Sequence, residues 1–341
     1  VAVLGHESCV LELVDPASGE KVKSIRLAQP PNGMAVDGAT AYVAEGGPRG
    51  AVEVVDLKSG ALKRSFPAGH TPMSPVVRGG KLYVACRFDS RVLEMDAATG
   101  TVLNSWNVPR DPVARAVSPD GRKIWAAGHL PAGAADGDFT AAALTLVEDG
   151  KAVHFPLSNG TQGVRGMAIS PDGRYLAVAH VLSRYQVPTT QLDRGWMNTN
   201  AVTVIDTDEP DKPHPVLLDD PDAGAANPWG VSFSEDGGKL FVTHAGTHEL
   251  SVIDFPALLE RMKREDRSNE PVSERLGFLH GLRTRIALPL NGPRSVASDG
   301  KNVYVAGYFS DSLAEISLKD ACKSRAIPLN APFRPSREKL G

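Results

Sequence analysis

Of the nine histidines in the 341 residues, two close the same kind of short apolar run, His180 in "LAVAH" and His244 in "LFVTH", and His248 follows four residues later. Neutral imidazoles gathered on one rim suit copper or zinc. The same rings serve equally as strand-end groups bonded to a neighbouring loop, or as acids and bases with a pKa near neutrality. One position further along comparable runs, on the other face by the period-2 alternation of a strand, stand His6, Arg87, His129 and Tyr308.

A second set is cationic. Arg115 and Arg294 lie ten residues before Trp125 and Tyr304, and Arg165 falls two residues earlier in its own repeat, so the three point the same way. Converging guanidiniums attract a carboxylate or a phosphate. The alternative is an Arg ring salt-bridged to carboxylates that link the repeats. Cys9, Cys86 and Cys322 are too widely spaced for a zinc site and odd in number, and read as buried small hydrophobes. No GxSxG elbow or P-loop is present, and turns such as "SPDG" recur too often to be phosphate cradles.

The elements that carry these residues repeat. One strand type appears seven times, as "VAVLG", "AYVAEG", "LYVAC", "IWAAG", "LAVAH", "LFVTH" and "VYVAG". A second type follows each copy, from "VLELVD" to "LAEISL", and glycine turns such as "LKSGA" and "AATGT" lead to a third strand. Segments such as "RGMAISPDG" and "GVSFSEDG" precede most copies. A period of roughly 40 residues with four short strands is the mark of a propeller blade. The fold class is all-β: a seven-bladed β-propeller with four-stranded blades, one domain over residues 1–341. The first blade shows no innermost strand before Val1, so its closure is expected from upstream residues, or failing that from the tail "FRPSREKLG", with 331–341 a tail or linker. Helical periods between strands, which a doubly wound fold needs, are missing.

Charge excludes some partners. Lys and Arg total 37 against 40 Asp and Glu, a balance that argues against nucleic acid or an anionic membrane as the target. No apolar run approaches the roughly 20 residues that span a bilayer. The opening "VAVLG" reads as the middle of a strand, as expected of a trimmed or processed N-terminus, so the absence of a leader says little about compartment.

Two insertions interrupt the repeat. Between "LAVAH" and "VTVID" runs "SRYQVPTTQLDRGWMNTNA", with Arg184, Tyr185, Arg194, Trp196 and Asn200, a composition like that of interface hot spots. Pro188 and Gly195 break regular structure, so a long rim loop is expected, serving as a lid or docking arm over the channel or as a flap packed on neighbouring blades. From Phe255 to Leu282, Leu258, Leu259 and Met262 keep helical spacing behind Pro256, which predicts a short amphipathic helix.

"LYVAC…VLEMDAATGTVLNSW" and "SPDGRYLAVAH…VTVIDTD" resemble the surface-layer propeller repeat named for its Tyr-Val-Thr-Asn signature, over essentially the whole chain. That repeat specifies architecture and leaves chemistry open. The insertion and the ending "PFRPSREKLG" are similar to propellers fused to, or encoded beside, a di-haem cytochrome c of the peroxidase and MauG type. The chain departs from that pattern in having no Cys-x-x-Cys-His, so it binds no covalent haem itself. The resemblance implies a periplasmic or otherwise extracytoplasmic scaffold that docks a di-haem c-type cytochrome, with haem only in the partner domain or subunit. Two alternatives stand beside it. One is a propeller enzyme or metal-binding protein, lactonase-like or with a copper site, using His180, His244, His248 and the arginines at the channel mouth. The other is a propeller subunit of a multi-haem nitrogen-cycle complex such as hydrazine synthase.

Overall fold

The computed structural model describes residues 1–134, 136–184, 197–265, 271–319 and 323–329. Each repeat forms one antiparallel sheet whose strands follow chain order, and the seven sheets form a seven-bladed β-propeller. Blade one holds β1 (Ala2–Gly5), β2 (Val10–Val14) and β3 (Lys21–Arg26), three strands among the described residues. Blade two holds β4 (Pro31–Asp37), β5 (Thr40–Glu45), β6 (Ala51–Asp56) and β7 (Ala61–Pro67). Blade three holds β8 (Pro72–Arg78), β9 (Lys81–Cys86), β10 (Arg91–Asp96) and β11 (Val102–Asn107). Blade four holds β12 (Pro112–Val117), β13 (Ile124–Gly128), β14 (Ala143–Glu148) and β15 (Lys151–Pro156). Blade five holds β16 (Thr161–Ile169), β17 (Tyr175–Ser183), β18 (Asn198–Asp206) and β19 (His214–Leu217). Blade six holds β20 (Pro228–Phe233), β21 (Lys239–His244), β22 (Glu249–Asp254) and β23 (Arg283–Ala287). Blade seven holds β24 (Pro293–Ser298), β25 (Asn302–Gly307), β26 (Ser312–Ser317) and β27 (Ser324–Pro328).

The near-continuous apolar character of the repeated strand follows from burial on both faces. In β17, Leu176 and Val178 pack toward blade four, and Ala177 and Ala179 toward blade six. In β13, Ile124 and Ala126 turn to blade three, and Trp125 and Ala127 to blade five. A buried cluster of this kind lies between every pair of neighbouring blades. The ring is joined between blades seven and one by Tyr304, Leu313 and Ile327 against Val3 and Val14.

The innermost strands pack tightly around the axis. A Cβ on Gly166 would stand 2.1 Å from the Trp229 carbonyl oxygen, and one on Gly230 would stand 2.7 Å from that of Arg294. Gly166 begins regular pairing after a bulge at the start of its strand and Gly230 immediately precedes the residue that does so in the next blade, so neighbouring backbones approach where only glycine fits.

The expected helix is α1 (Phe255–Glu265), with Phe255 and Leu258 buried and Leu259 and Met262 against the same cluster. Asp254 caps it by accepting the Ala257 N–H at 3.2 Å. In the rim insertion, Tyr185, Arg194 and Trp196 lie outside the described residues, as do Cys322 and the tail 330–341.

Candidate functional site: the channel mouth

One end of the channel is built from the starts of the inner strands and the loops that join the second strand of each blade to the third. The pairing register makes Arg165, Trp229 and Arg294 equivalent. Each immediately precedes the residue that pairs next to the end of the following strand: Gly166 with Ala179, Gly230 before the Val231–Val242 pair, and Ser295 with Ala306. They come from blades five, six and seven, so Trp229 lies between two arginines, each with its guanidinium carbon 4.3 Å from the indole centroid. Arg294 also lies 3.4 Å from the Tyr308 ring centroid. Cation–π stacking therefore holds both guanidiniums at the mouth without a hydrogen-bonded carboxylate among the described residues.

Positive charge at the mouth comes from Arg87, Arg165 and Arg294, and it is met by Asp111 and, around the cavity beside Arg294, by Glu7, Glu12 and Asp311. Arg87, at the end of β9, is hydrogen-bonded to Asp111 of the next blade's linker, and this carboxylate is shared against Arg87 and Arg165. Burial, followed by the fields of Arg87 and Arg294, lowers the Arg165 pKa. Arg165 makes no hydrogen bond among the described residues, and the buried Arg294 Nε has no acceptor. His6 and His129 repeat one device: each Nδ1 lies 2.8 Å from a carbonyl at the start of the next blade, Pro31 O and Val164 O. A carbonyl only accepts, so each Nδ1 carries the proton. Burial lowers the His129 pKa, which keeps the ring neutral with its Nε2 lone pair free.

Arg115 does not join this group. The inner hairpin of blade seven has a shorter turn than that of blade four, so counting back from the second strand misaligns the two. By pairing, Arg115 faces Ala126 and corresponds to Met167, which faces Val178, two residues deeper than Arg165. It is buried at the interface of blades three and four near Cys86, with none of its three guanidinium nitrogens hydrogen-bonded. Burial pulls its pKa down to about 9 and pushes that of the Cys86 thiol up to about 12, fitting the reading of Cys86 as a buried hydrophobe.

His180 and His244 are equivalent, as the repeats suggest, but both lie beneath the rim and are fully buried. The Nε2 of His180 meets Thr203 Oγ1 at 2.6 Å and its Nδ1 meets Val181 O at 3.1 Å. For His244 the partners are Ser251 Oγ at 2.7 Å and Ala225 O at 3.2 Å. In each ring Nδ1 donates to the carbonyl and Nε2 accepts from the hydroxyl, so no ring nitrogen is left for a metal. Desolvation pulls their pKa values down to about 4 and about 3. His248, at a left-handed φ of 59°, accepts the Gly292 N–H on Nδ1. Among the described residues no three His, Cys, Asp or Glu side chains are grouped to hold a metal ion.

The cover over His244 is itself pinned. Asp219 accepts from the Asn200 backbone N–H, the Asn200 amide and the Ala225 N–H, and Asn200 Oδ1 accepts from Asn227 N. Arg283 and Arg285 clamp the same segment through Asp220. Asn200 is thus a structural member of the insertion's base, as is Arg184, which donates to Ser273 O.

Two open cavities flank Trp229. One, of about 430 Å³, is bounded by His6, Arg294, Tyr308 and Phe309. The other, of about 390 Å³, is bounded by His129, Gln162, Arg165, Asn198, Asn200 and Asn227. The rim around them is apolar: Phe88, Leu130, Phe139, Met197 and Phe309 are all exposed, Phe309 at 68%. Every exposed phenylalanine among the described residues lies on this face. Sequence reasoning missed Trp229 and this phenylalanine set. Aligning the repeats on the inner-strand glycine, "GVRGMA" with "NPWGVS", would have exposed Trp229.

No protein-family model matches the chain. Over 174 residues it is 28% identical to hydrazine synthase subunit beta of Kuenenia stuttgartiensis, a match covering 50% of this chain and 45% of that protein. The chain thus matches about half the length of this relative. Among solved structures, Kuenenia stuttgartiensis hydrazine synthase aligns with a TM-score of 0.81 at 24% identity, over 91% of this chain and 89% of that one. A streptogramin B lyase aligns with a TM-score of 0.62 at 13% identity, over 91% and 85%. At these identities the structural likenesses establish the fold, and the chain is a seven-bladed β-propeller similar in sequence, over half its length, to a hydrazine synthase subunit.

Proposed function

We propose that this chain is a non-catalytic propeller subunit of a multi-subunit redox complex, and that its channel-mouth face docks a partner carrying c-type haem. The observation that carries the reading is the concentration of exposed Phe88, Phe139 and Phe309, with Leu130 and Met197, on the face that also holds Arg87, Arg165 and Arg294. Aromatic and arginine anchors with an apolar surround are the composition of an interface hot spot. The 28% identity to a hydrazine synthase subunit over half of this chain supports the choice of a redox assembly over a free-standing enzyme. Haem chemistry then belongs to the partner, and an extracytoplasmic location belongs to the same proposal.

The test is purification of the native assembly with absorption followed at the Soret band. A haem protein is expected to co-elute stoichiometrically. A Phe88→Ser, Phe309→Ser double variant should lose it while its thermal midpoint stays within a few degrees, since both side chains are already exposed. Each anchor is expected to contribute about 2 kcal/mol of binding or more. Co-elution unchanged in the double variant would remove this face from the interface.

A further inference from the structure

The cavity between blades four, five and six has a polar inventory that the docking reading does not use. Arg165 presents a guanidinium held in place by Trp229 and without a hydrogen-bond acceptor among the described residues. Gln162, Asn198 and Asn227 bound the same space, and Asn200 beside them is already committed to Asp219 and to Asn227 N. His129 is fixed by Val164 O in the tautomer that leaves Nε2 as an acceptor. Among the described residues no Asp, Glu or Lys lines this cavity.

A stacked guanidinium matches a planar carboxylate with two parallel N–H donors. Neutral amides add donors without adding charge. An unprotonated imidazole nitrogen asks for a hydroxyl donor on the same ligand. A space of about 390 Å³ lies within the range of small-molecule sites.

We propose that this cavity binds a small hydroxycarboxylate, with Arg165 taking the carboxylate and His129 Nε2 accepting from the hydroxyl. The inference rests on the mouth as the functional face but not on any partner, so it is tested on the isolated chain, and its failure leaves the docking reading standing. The energetic logic is a single charge-assisted anchor plus one discriminating hydrogen bond. Loss of Arg165 should weaken binding at least tenfold, and loss of His129 should abolish only the preference for the hydroxyl.

The experiment is calorimetric titration with lactate, propionate and lactamide at constant ionic strength, with emission from Trp229 as a second signal and Trp229→Phe as its control. Lactate should bind saturably, at least tenfold more weakly to Arg165→Met, which keeps the alkyl stack on the indole. Propionate should bind several-fold more weakly than lactate, and equally with it in His129→Phe. Lactamide should not bind. Saturable lactate binding unchanged in Arg165→Met, no saturable binding of lactate at all, or equal affinity for lactate and propionate in the parent chain would each overturn the assignment. Arg165→Lys, which keeps charge and loses the fork, separates a bidentate contact from simple charge attraction: full retention of affinity would overturn the bidentate role.

Discussion

At the scale of single residues, the buried titratable groups oppose one another. His180 and His244 are depressed from 6.5 to about 4 and about 3, because burial penalises the imidazolium. Below pH 6.5 the unfolded chain binds protons that these rings refuse in the folded state, so their contribution to stability falls as pH falls through that window. In blade two, the position of His180 and His244 is taken by Glu45, and that of Thr203 and Ser251 by Glu53; both carboxyls are buried and hydrogen-bonded to each other. Burial raises Glu45 to about 7 and raises Glu53 in the same direction. A raised carboxyl has the opposite sign: its contribution is full below the unfolded value of 4.5 and is lost as pH rises toward 7. Urea unfolding of the parent chain should therefore vary little between pH 4.5 and 6.5. Glu45→Gln should make stability rise with pH, and a His180→Gln, His244→Gln double variant should make it fall, by up to about 1.4 kcal/mol per pH unit for each group removed. Slopes unchanged in both variants would show that these groups titrate normally.

At the scale of elements, the strands and α1 were legible and the register was not. The "LYVAC" type strand announces burial on both faces through its unbroken apolar run, and "PALLERM" announces a helix through its spacing. A bulge leaves no mark of that kind. The bulges at the start of β12, β16, β20 and β24, together with unequal hairpin turns, moved Arg115 out of the set that Arg165 and Arg294 share with Trp229. Likewise, a strand-end histidine reads as a rim residue until the segment 219–227 is seen to cover it. The inner glycines give the sharpest test of this geometry. Gly166→Ala forces a Cβ against the Trp229 backbone and should cost about 1–3 kcal/mol. Gly38→Ala, at φ +56° but in open space, should cost about 1 kcal/mol. A reversed order in thermal unfolding would mean that the inner strands are more loosely packed. In α1, Leu258→Ala should cost about 2–5 kcal/mol, because Leu258 is fully buried against the blade five and six cluster.

At the scale of the whole molecule, the ring is held by interfaces of unequal strength. Blades five and six share a large cluster that α1 enlarges through Phe255 and Leu258, and blades four and five share another built around Trp125 and Leu176. Blades seven and one meet through the small set of Val3, Val14, Tyr304, Leu313, Ile327 and Leu329, reinforced by Arg325 donating to the carbonyls of Pro16 and Ala17. Blade one also has three strands among the described residues where the others have four. Buried apolar area sets how much each interface resists local opening, so the seam should open at a lower free energy than the rest. Native-state hydrogen exchange should show amides of β1 and β2 exchanging ahead of those in β13, β17 and β21. Leu313→Ala should lower protection in blades one and seven while leaving β17 unchanged. If exchange were instead uniform around the ring, the propeller would open as one cooperative unit, with the seam no weaker than the cluster around α1.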